Sequence, residues 1–171
     1  TSCTDIGMGG SDARLRVIID YTSDSKISLL PFNNAMFDQT DFLEASLSGS
    51  NMTDIRIDQC SFEDCNLTGA QLRSAMIRNT SFKGANMRGV SFDRALVDGA
   101  DFTGTDLSTC NLTGAVLKKL VGTPPALPQD YVIKSYKDEN VDANGDTLRT
   151  DVYDIVISEN RYNDGLREKR D

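Results

Sequence analysis

The chain of 171 residues has no histidine and no tryptophan, and it has only four cysteines and four prolines. Without histidine, a Ser-His-Asp triad, a histidine general base and a histidine-ligated metal site are excluded. Most common hydrolase chemistries are excluded with them. We therefore expect a protein that is not an enzyme and that binds no cofactor. No apolar run approaches the roughly 20 residues that a membrane-spanning helix needs, so no membrane span is expected.

Basic residues are also few, because the 26 acidic residues outnumber the 18 lysines and arginines and give a net charge of −8. Lysine and arginine dominate binding to nucleic-acid phosphates, so we do not expect direct phosphate binding. The negative charge is still compatible with a cationic partner or with a protein that imitates DNA. The length suits one domain with its own core and some additional segments.

The most regular feature of the sequence is an apolar residue at every fifth position from Phe32 to Leu117, at 18 consecutive positions of the period. The residue two positions earlier is mostly small, with Leu30, Ile55 and Val90 as the larger exceptions. A period of five matches neither the 3.6 of a helix nor the 2.0 of a strand. The chain must therefore turn a corner every five residues.

Residues 20 positions apart also resemble one another, which the five-residue period alone does not require. One column contains Phe42, Phe62, Phe82 and Phe102, and another contains Phe37, Ile57, Ile77, Val97 and Leu117. Stacking of like side chains fills the core of parallel coils without voids. The pattern therefore predicts four corners per coil.

These units resemble the pentapeptide-repeat family, whose unit reads roughly Ala-(Asp/Asn)-Leu-x-x, as in Ala85-Asn86-Met87-Arg88-Gly89. The resemblance covers residues 30–119. It implies an all-β fold, a right-handed four-sided parallel β-helix of about 4.5 coils and roughly 22 Å in height. In that family the central apolar residue and the small residue two before it point into the shaft.

The repeat divides the chain into three predicted segments. Residues 1–29 cap the shaft, residues 30–119 form the β-helix solenoid, and residues 120–171 form a Pro-rich exit, a β-hairpin and a polar tail. End coils need caps because they expose unpaired backbone groups. For the first segment, a short helix that starts at Ser11 and carries Leu15 competes with a strand.

The final segment is expected to leave the shaft after Leu117 through residues 122–128. Residues 131–137 and 152–158 alternate like two strands, and Asn144-Gly145 is a turn signal between them. Either end of the chain is then a candidate to cover exposed parts of the shaft.

A possible metal site lies in this turn, since Asp142, Asn144 and Asp146 have the spacing of the first three ligands of an EF-hand-like calcium loop. The sequence then departs from the loop pattern, with glycine at Gly145 and with Tyr153 in place of the bidentate acid. An acidic hairpin turn is the favoured interpretation, and calcium is the alternative.

Three of the four cysteines, Cys60, Cys65 and Cys110, fall on the small inward position of the repeat. A thiol there fills the same space as alanine, so core packing is their expected role. Cys3 lies outside the repeat, where it is free or paired with another molecule. Cysteine usage therefore does not fix the redox compartment.

The residue just before the central one is polar in most columns, but one column reads Met36, Arg56, Met76, Leu96 and Val116. We call Met36, Met76, Leu96 and Val116 the apolar stripe. A contiguous apolar surface usually marks an interface. Two explanations stay open: one end of the chain folds over the stripe, or another protein binds it.

Four basic residues follow the central positions on successive faces of the third coil, and we call Arg73, Arg78, Lys83 and Arg88 the basic band. The best-known activity of the resembled family is protection or inhibition of DNA gyrase by an acidic rod that imitates DNA. The basic band would interrupt such an imitation. Residues 30–119 carry 11 acids and 8 bases, so only −3 of the charge belongs to the shaft.

We therefore expect a non-catalytic interaction or scaffold module with a protein partner. The resemblance to members from cyanobacteria and the thylakoid lumen implies a lumenal subunit or assembly partner of a membrane complex. The alternative is a DNA-mimicking modulator of a type II topoisomerase.

Overall fold

Short strands and tight turns make up the structure, a computed structural model that describes residues 15–16, 32–42 and 45–158. The strands are β1 (Leu15–Arg16), β2 (Met36–Asp38), β3 (Thr40–Asp41), β4 (Arg56–Asp58), β5 (Met76–Arg78), β6 (Leu96–Asp98), β7 (Val116–Leu120), β8 (Tyr131–Val141) and β9 (Thr147–Ile157). This described part of the chain holds no helix with the length and apolar character that a membrane crossing requires.

Residues 20 positions apart pair in parallel and build the coils. On one face the strands β2, β4, β5, β6 and β7 pair in that order, with Phe37 beside Ile57 and Ile77 beside Val97. On other faces single bridges repeat at the same spacing, as between Ser81 and Asp101. One coil therefore takes 20 residues, and the predicted four-sided β-helix is confirmed.

The shaft is filled by side chains that stack on their equivalents in the next coil. Phe42 and Phe62 lie 4.4 Å apart between ring centroids at 9°, and the pairs Phe62–Phe82 and Phe82–Phe102 lie 5.3 Å apart. All four rings are at most 1% exposed. Because hydrogen-bonded coils are spaced about 4.8 Å apart, equivalent rings in adjacent coils lie in stacking contact.

Asparagine and aspartate shape many of the corners. The Asn66 Oδ1 accepts a hydrogen bond from the Thr68 N–H at 3.1 Å, and the Ala70 N–H donates to the Leu67 carbonyl at 2.9 Å to close the turn. Such side chains stabilise turns by bonding the backbone two residues ahead. This explains why the residue before the central one is polar in most columns.

The corner after the strand face is built differently. As at the other corners, its turning residues have left-handed backbones, with φ of 52° at Gln59 and 47° at Asn79. The inward residue that follows supplies the local hydrogen bond, since the Thr80 Oγ1 donates to the Arg78 carbonyl at 2.7 Å. The Cys60 thiol donates to the Asp58 carbonyl at 3.2 Å in the same way. No Asn or Asp acceptor is needed before the central residue of this face, because β4 and β5 are paired on both sides and their N–H groups bond the neighbouring strands.

The N-terminal segment contributes a strand at the first coil. β1 pairs in parallel with β3, with Leu15 beside Thr40 and Arg16 beside Asp41. The helix considered for this segment is therefore wrong at Leu15, because the unpaired backbone of the first coil offers a partner to a strand. The rest of the predicted cap, Cys3 and the polar tail after Ser158 lie outside the described residues.

The Pro-rich exit stays on the shaft longer than expected. Gly122 pairs with Asp101, Ala126 pairs with Asp106, and Leu127 packs against the core. A larger residue at the first of these contacts would have to displace the Asp101 side chain, since a Cβ on Gly122 would lie 1.9 Å from the Asp101 Oδ1. The expected departure of the chain after Leu117 is wrong for this reason: positions 122 and 127 continue the five-residue period.

The hairpin extends the strand face sideways. β8 and β9 pair antiparallel over eleven residue pairs, and β9 pairs antiparallel with β7 through Leu117 beside Ile155 and Leu120 beside Tyr153. A bulge interrupts β7 at Lys119, whose N–H donates to the Asp154 Oδ1 at 2.9 Å. The sheet therefore has seven strands in the order β2-β4-β5-β6-β7-β9-β8.

The phenylalanine column generates a stability prediction. Phe82→Asp places an unpaired charge between Phe62 and Phe102, and we expect cooperative unfolding to be lost in urea and thermal melts followed by circular dichroism. The control Lys83→Asp changes an exposed neighbour and should shift the free energy of unfolding by no more than about 0.5 kcal/mol. A cooperative melt for Phe82→Asp would contradict the assigned register.

Candidate protein-interaction face

The apolar stripe lies on the outer side of the strand face. Met36 is 73% exposed, Val116 is 51% exposed and Met76 is 38% exposed, while Leu96 is half-buried. The strands are in register, so these side chains and Arg56 form one row across five strands. The sequence-predicted stripe residues are thus brought together on one flat surface.

The C-terminal hairpin lengthens this surface and does not cover it. Leu117 and Ile155 are paired and both point into the core, so Val116 and Val156 lie next to each other on the outer side. Val132 pairs with Val156 and is 44% exposed. The row, apolar except at Arg56, therefore runs from Met36 to Val132 over six strand spacings, roughly 29 Å. The sequence pattern missed the hairpin part because it lies outside the repeat.

A row of charged residues runs beside the stripe, two positions further along each strand. It contains Asp38, Asp58, Arg78, Asp98 and Lys118. Among the described residues, the one ion pair within this row joins its last two members, with the Lys118 Nζ 3.5 Å from the Asp98 Oδ2. Apolar surface edged by charge is the usual anatomy of a protein interface.

The basic band is exposed on all four faces of the third coil. Arg73, Arg78, Lys83 and Arg88 are each exposed, and the Arg73 guanidinium lies 3.2 Å from the Asp93 carboxylate. Arg78 belongs to the charged row, while the other three lie on different faces. A flat partner therefore meets only part of the band at once, and no continuous acidic surface surrounds the shaft at this coil.

One corner of the described shaft carries a shallow polar depression, lined by Asp41, Gln59, Cys60, Ser61, Glu63, Asn79 and Ser81. The Glu63 carboxylate accepts a hydrogen bond from the Ser81 hydroxyl at 2.8 Å, and the Asp41 Oδ1 is buried without a partner. The only thiol there belongs to Cys60, and burial raises its pKa. The depression thus offers carboxylates and hydroxyls but no activated nucleophile.

The inward cysteines act as buried hydrogen-bond donors. The Cys65 thiol donates to the Phe42 carbonyl at 2.6 Å, and the Cys110 thiol donates to the Met87 carbonyl at 3.1 Å. Burial raises the pKa of both thiols to about 12. Thr105 makes the same kind of bond to Phe82 with its hydroxyl. These thiols therefore occupy the place of a threonine in the shaft.

The calcium candidate forms the tip of the hairpin. The Asp142 Oδ1 accepts hydrogen bonds from the N–H groups of Asn144 at 2.8 Å and Asp146 at 2.9 Å, and Gly145 has a φ of 86°. Within residues 32–42 and 45–158 no three acidic or cysteine side chains group closely enough to hold a metal. The geometry supports the acidic-turn interpretation, and calcium binding stays a prediction.

Comparison with known proteins points to one family. A model of the pentapeptide repeat region matches residues 55–121, and a model of eight pentapeptide repeats matches residues 32–64. No curated protein matches the chain.

Similar solved structures include two that are named as pentapeptide repeat proteins. A pentapeptide repeat protein of the cyanobacterium Cyanothece 51142 is 20% identical with a TM-score of 0.49, over 62% of this chain and 67% of that one. One from the thylakoid lumen of Arabidopsis thaliana is 32% identical with a TM-score of 0.48, over 50% and 59%. A plasmid-mediated fluoroquinolone resistance protein is 21% identical with a TM-score of 0.29, over 60% and 55%. The match spans less than two thirds of the second and third structures.

The buried thiols generate a prediction about reactivity. In a Cys3→Ser variant, the three remaining cysteines should not react with Ellman's reagent at pH 8 in native buffer, because burial disfavours their thiolates. All three should react in denaturant. Fast reaction of any thiol in the folded protein would contradict its placement in the shaft.

Proposed function

Since this chain belongs to the pentapeptide-repeat family, we propose that it is a non-catalytic interaction module whose apolar stripe binds a protein partner. The observation that carries the proposal is the exposure of Met36, Met76 and Val116 in one row of a rigid sheet. Buried side chains fill the interior of the described shaft, whereas ligand sites in enzymes are usually concave.

The strand face suits binding because it is already ordered. Its backbone is held on both sides by neighbouring coils from β4 to β7, so no segment of this face must fold when a partner arrives. Preorganised surfaces lose less conformational entropy on binding. Burying one exposed methionine or valine side chain contributes about 1.5–3 kcal/mol. Several such side chains in one row provide a stable contact.

The charges beside the stripe favour one orientation of the partner. Asp38 and Asp58 are neighbours at the β2 end of the charged row, whereas Lys118 lies at the β7 end. A partner that presents an apolar row with a basic group near Asp38 fits this surface. Charge complementarity of this kind fixes the direction in which two surfaces meet.

We propose further that the partner belongs to a membrane complex and that the protein works in a thylakoid lumen. This part of the proposal rests on the family resemblance alone. Identification of the crosslinked partner in the source cells addresses it directly.

The stripe generates the central test. We expect the variant Met76→Asp/Val116→Asp to lose the partner that crosslinks to the wild-type protein in its source cells, because charges replace the apolar contacts. Val121→Asp is a matched control, since Val121 is 56% exposed but lies outside the row. All three proteins should melt alike, because these side chains contact solvent.

Recovery of the same partner with equal yield by the stripe variant would place the contact elsewhere. Loss of the partner with Val121→Asp as well would show that the effect is not specific to the stripe.

The second candidate function is DNA mimicry towards a type II topoisomerase, favoured by the net charge of −8. We expect no inhibition or protection in a supercoiling assay at micromolar protein, because exposed arginines such as Arg73 and Arg88 break the acidic surface. A strong effect on supercoiling would make DNA mimicry the better explanation.

A further inference from the structure

β8 forms one edge of the seven-stranded sheet. β8 is last in the strand order, and no strand pairs with its outer side within the described residues. Its register with β9 is unbroken over eleven pairs, so no bulge twists the edge away, and it contains no proline. Natural proteins protect long edge strands with such devices or with charged side chains, and β8 has only the latter, at Lys134, Lys137, Asp138 and Glu139.

The backbone groups of β8 that face outward follow from two hydrogen bonds. The Ser158 N–H donates to the Asp130 carbonyl at 2.7 Å, and the Asp142 N–H donates to the Asp146 carbonyl at 2.9 Å. Bonded and non-bonded pairs alternate in an antiparallel ladder. Even-numbered residues of β8 therefore bond β9, and the odd-numbered residues Ile133, Ser135, Lys137 and Glu139 turn their backbone groups outward.

The distal half of the hairpin has little support from the shaft. β9 contacts β7 through Tyr153 and Ile155, whereas residues 147–151 pair only with β8 in the described part of the chain. Val141 is 69% exposed and Leu148 is 53% exposed, on opposite sides of the hairpin. A two-stranded ribbon is marginally stable in water. A further strand along β8 would stabilise this half.

We propose that β8 pairs antiparallel with β8 of a second copy of this chain, about a twofold axis at Tyr136. In the new ladder an odd-numbered residue of one copy must lie opposite an odd-numbered residue of the other, because these residues carry the outward backbone groups. The numbers of two paired residues therefore always add to an even number. An axis at Tyr136 pairs Ile133 with Glu139 and Ser135 with Lys137 of the second copy. It overlaps the full length of both strands.

Side-chain charge selects this register. With the axis at Tyr136, Lys134 lies opposite Asp138 of the second copy, in a non-hydrogen-bonded pair where side chains are closest. Lys134 makes no ion pair within the described structure, whereas Asp138 already accepts the Lys119 Nζ at 3.3 Å. Moving the axis to Lys137 would place Lys137 opposite itself. Moving it to Asp138 would place Asp138 opposite itself and shorten the ladder to residues 135–141, although Lys137 would then face Glu139.

The same axis separates the two shafts. Residues 133 and 135 of β8 pair with residues 155 and 153 of β9, so each shaft lies beside the first half of its own β8. The twofold axis places the shaft of the second copy beside residues 137–141 of the first copy's β8. Each distal hairpin half then pairs with the supported half of the other copy.

Sedimentation velocity over a concentration series tests the proposal on the full chain. We expect a concentration-dependent dimer for the wild type. Lys134→Asp places like charges opposite each other, and we expect it to weaken the dimer about tenfold or more. The exchange Lys134→Asp/Asp138→Lys restores opposite charges and should recover most of the affinity.

Ser135→Pro removes an outward N–H without removing a bond to β9, so it should abolish the dimer and keep the native circular dichroism spectrum. Lys134 is exposed, which keeps the charge variants informative if the proline variant does not fold. A wild-type monomer at all concentrations would overturn the proposal. A dimer that is insensitive to both the charge reversal and the proline would also overturn it.

Discussion

The stacking of each inward side chain on its equivalent in the next coil is the constraint on which the rest of the structure depends. Backbone hydrogen bonds fix the distance between coils at about 4.8 Å, and a shaft side chain must fill that height without a void. Phe62 and Phe82 satisfy this with parallel rings. The small inward residue shares the cross-section with a large one, and Thr80 and Cys60 also supply a hydrogen bond to the backbone.

Because the inward positions are fixed, surface chemistry varies only at the remaining positions of each unit. At many corners the residue before the central one must accept a turn hydrogen bond, as Asn66 does. The strand face has no such need, since the N–H groups of its central strands bond the neighbouring strands. This freedom allows apolar residues but does not require them, because Arg56 occupies the same column. The apolar choice at the other positions therefore needs a separate cause, and a binding partner supplies one.

The sequence predicted the shaft well because the signal lies in side-chain type at a fixed period. It predicted the exit poorly because Gly122 continues the period without an apolar side chain, and only the close approach to Asp101 shows why. The stripe was visible in one column, but its continuation through Val156 and Val132 was not. That continuation depends on how β9 pairs with β7, and the bulge at Lys119 that allows it has no signature in residue type.

The hairpin pairs with the β7 edge of the sheet through β9 and forms a new edge with β8. β7 has five residues, and β9 pairs with it through two registered positions, Leu117 and Leu120. A short hairpin would satisfy that edge and bury Ile155 equally well. Instead β8 and β9 each run for eleven residues, and the β8 edge carries Lys134 and Asp138 on one side, with Tyr136 between them. Capping the shaft alone does not account for this length, because unpaired strand edges favour unwanted association. A defined pairing along β8 accounts for both the length and the charge order.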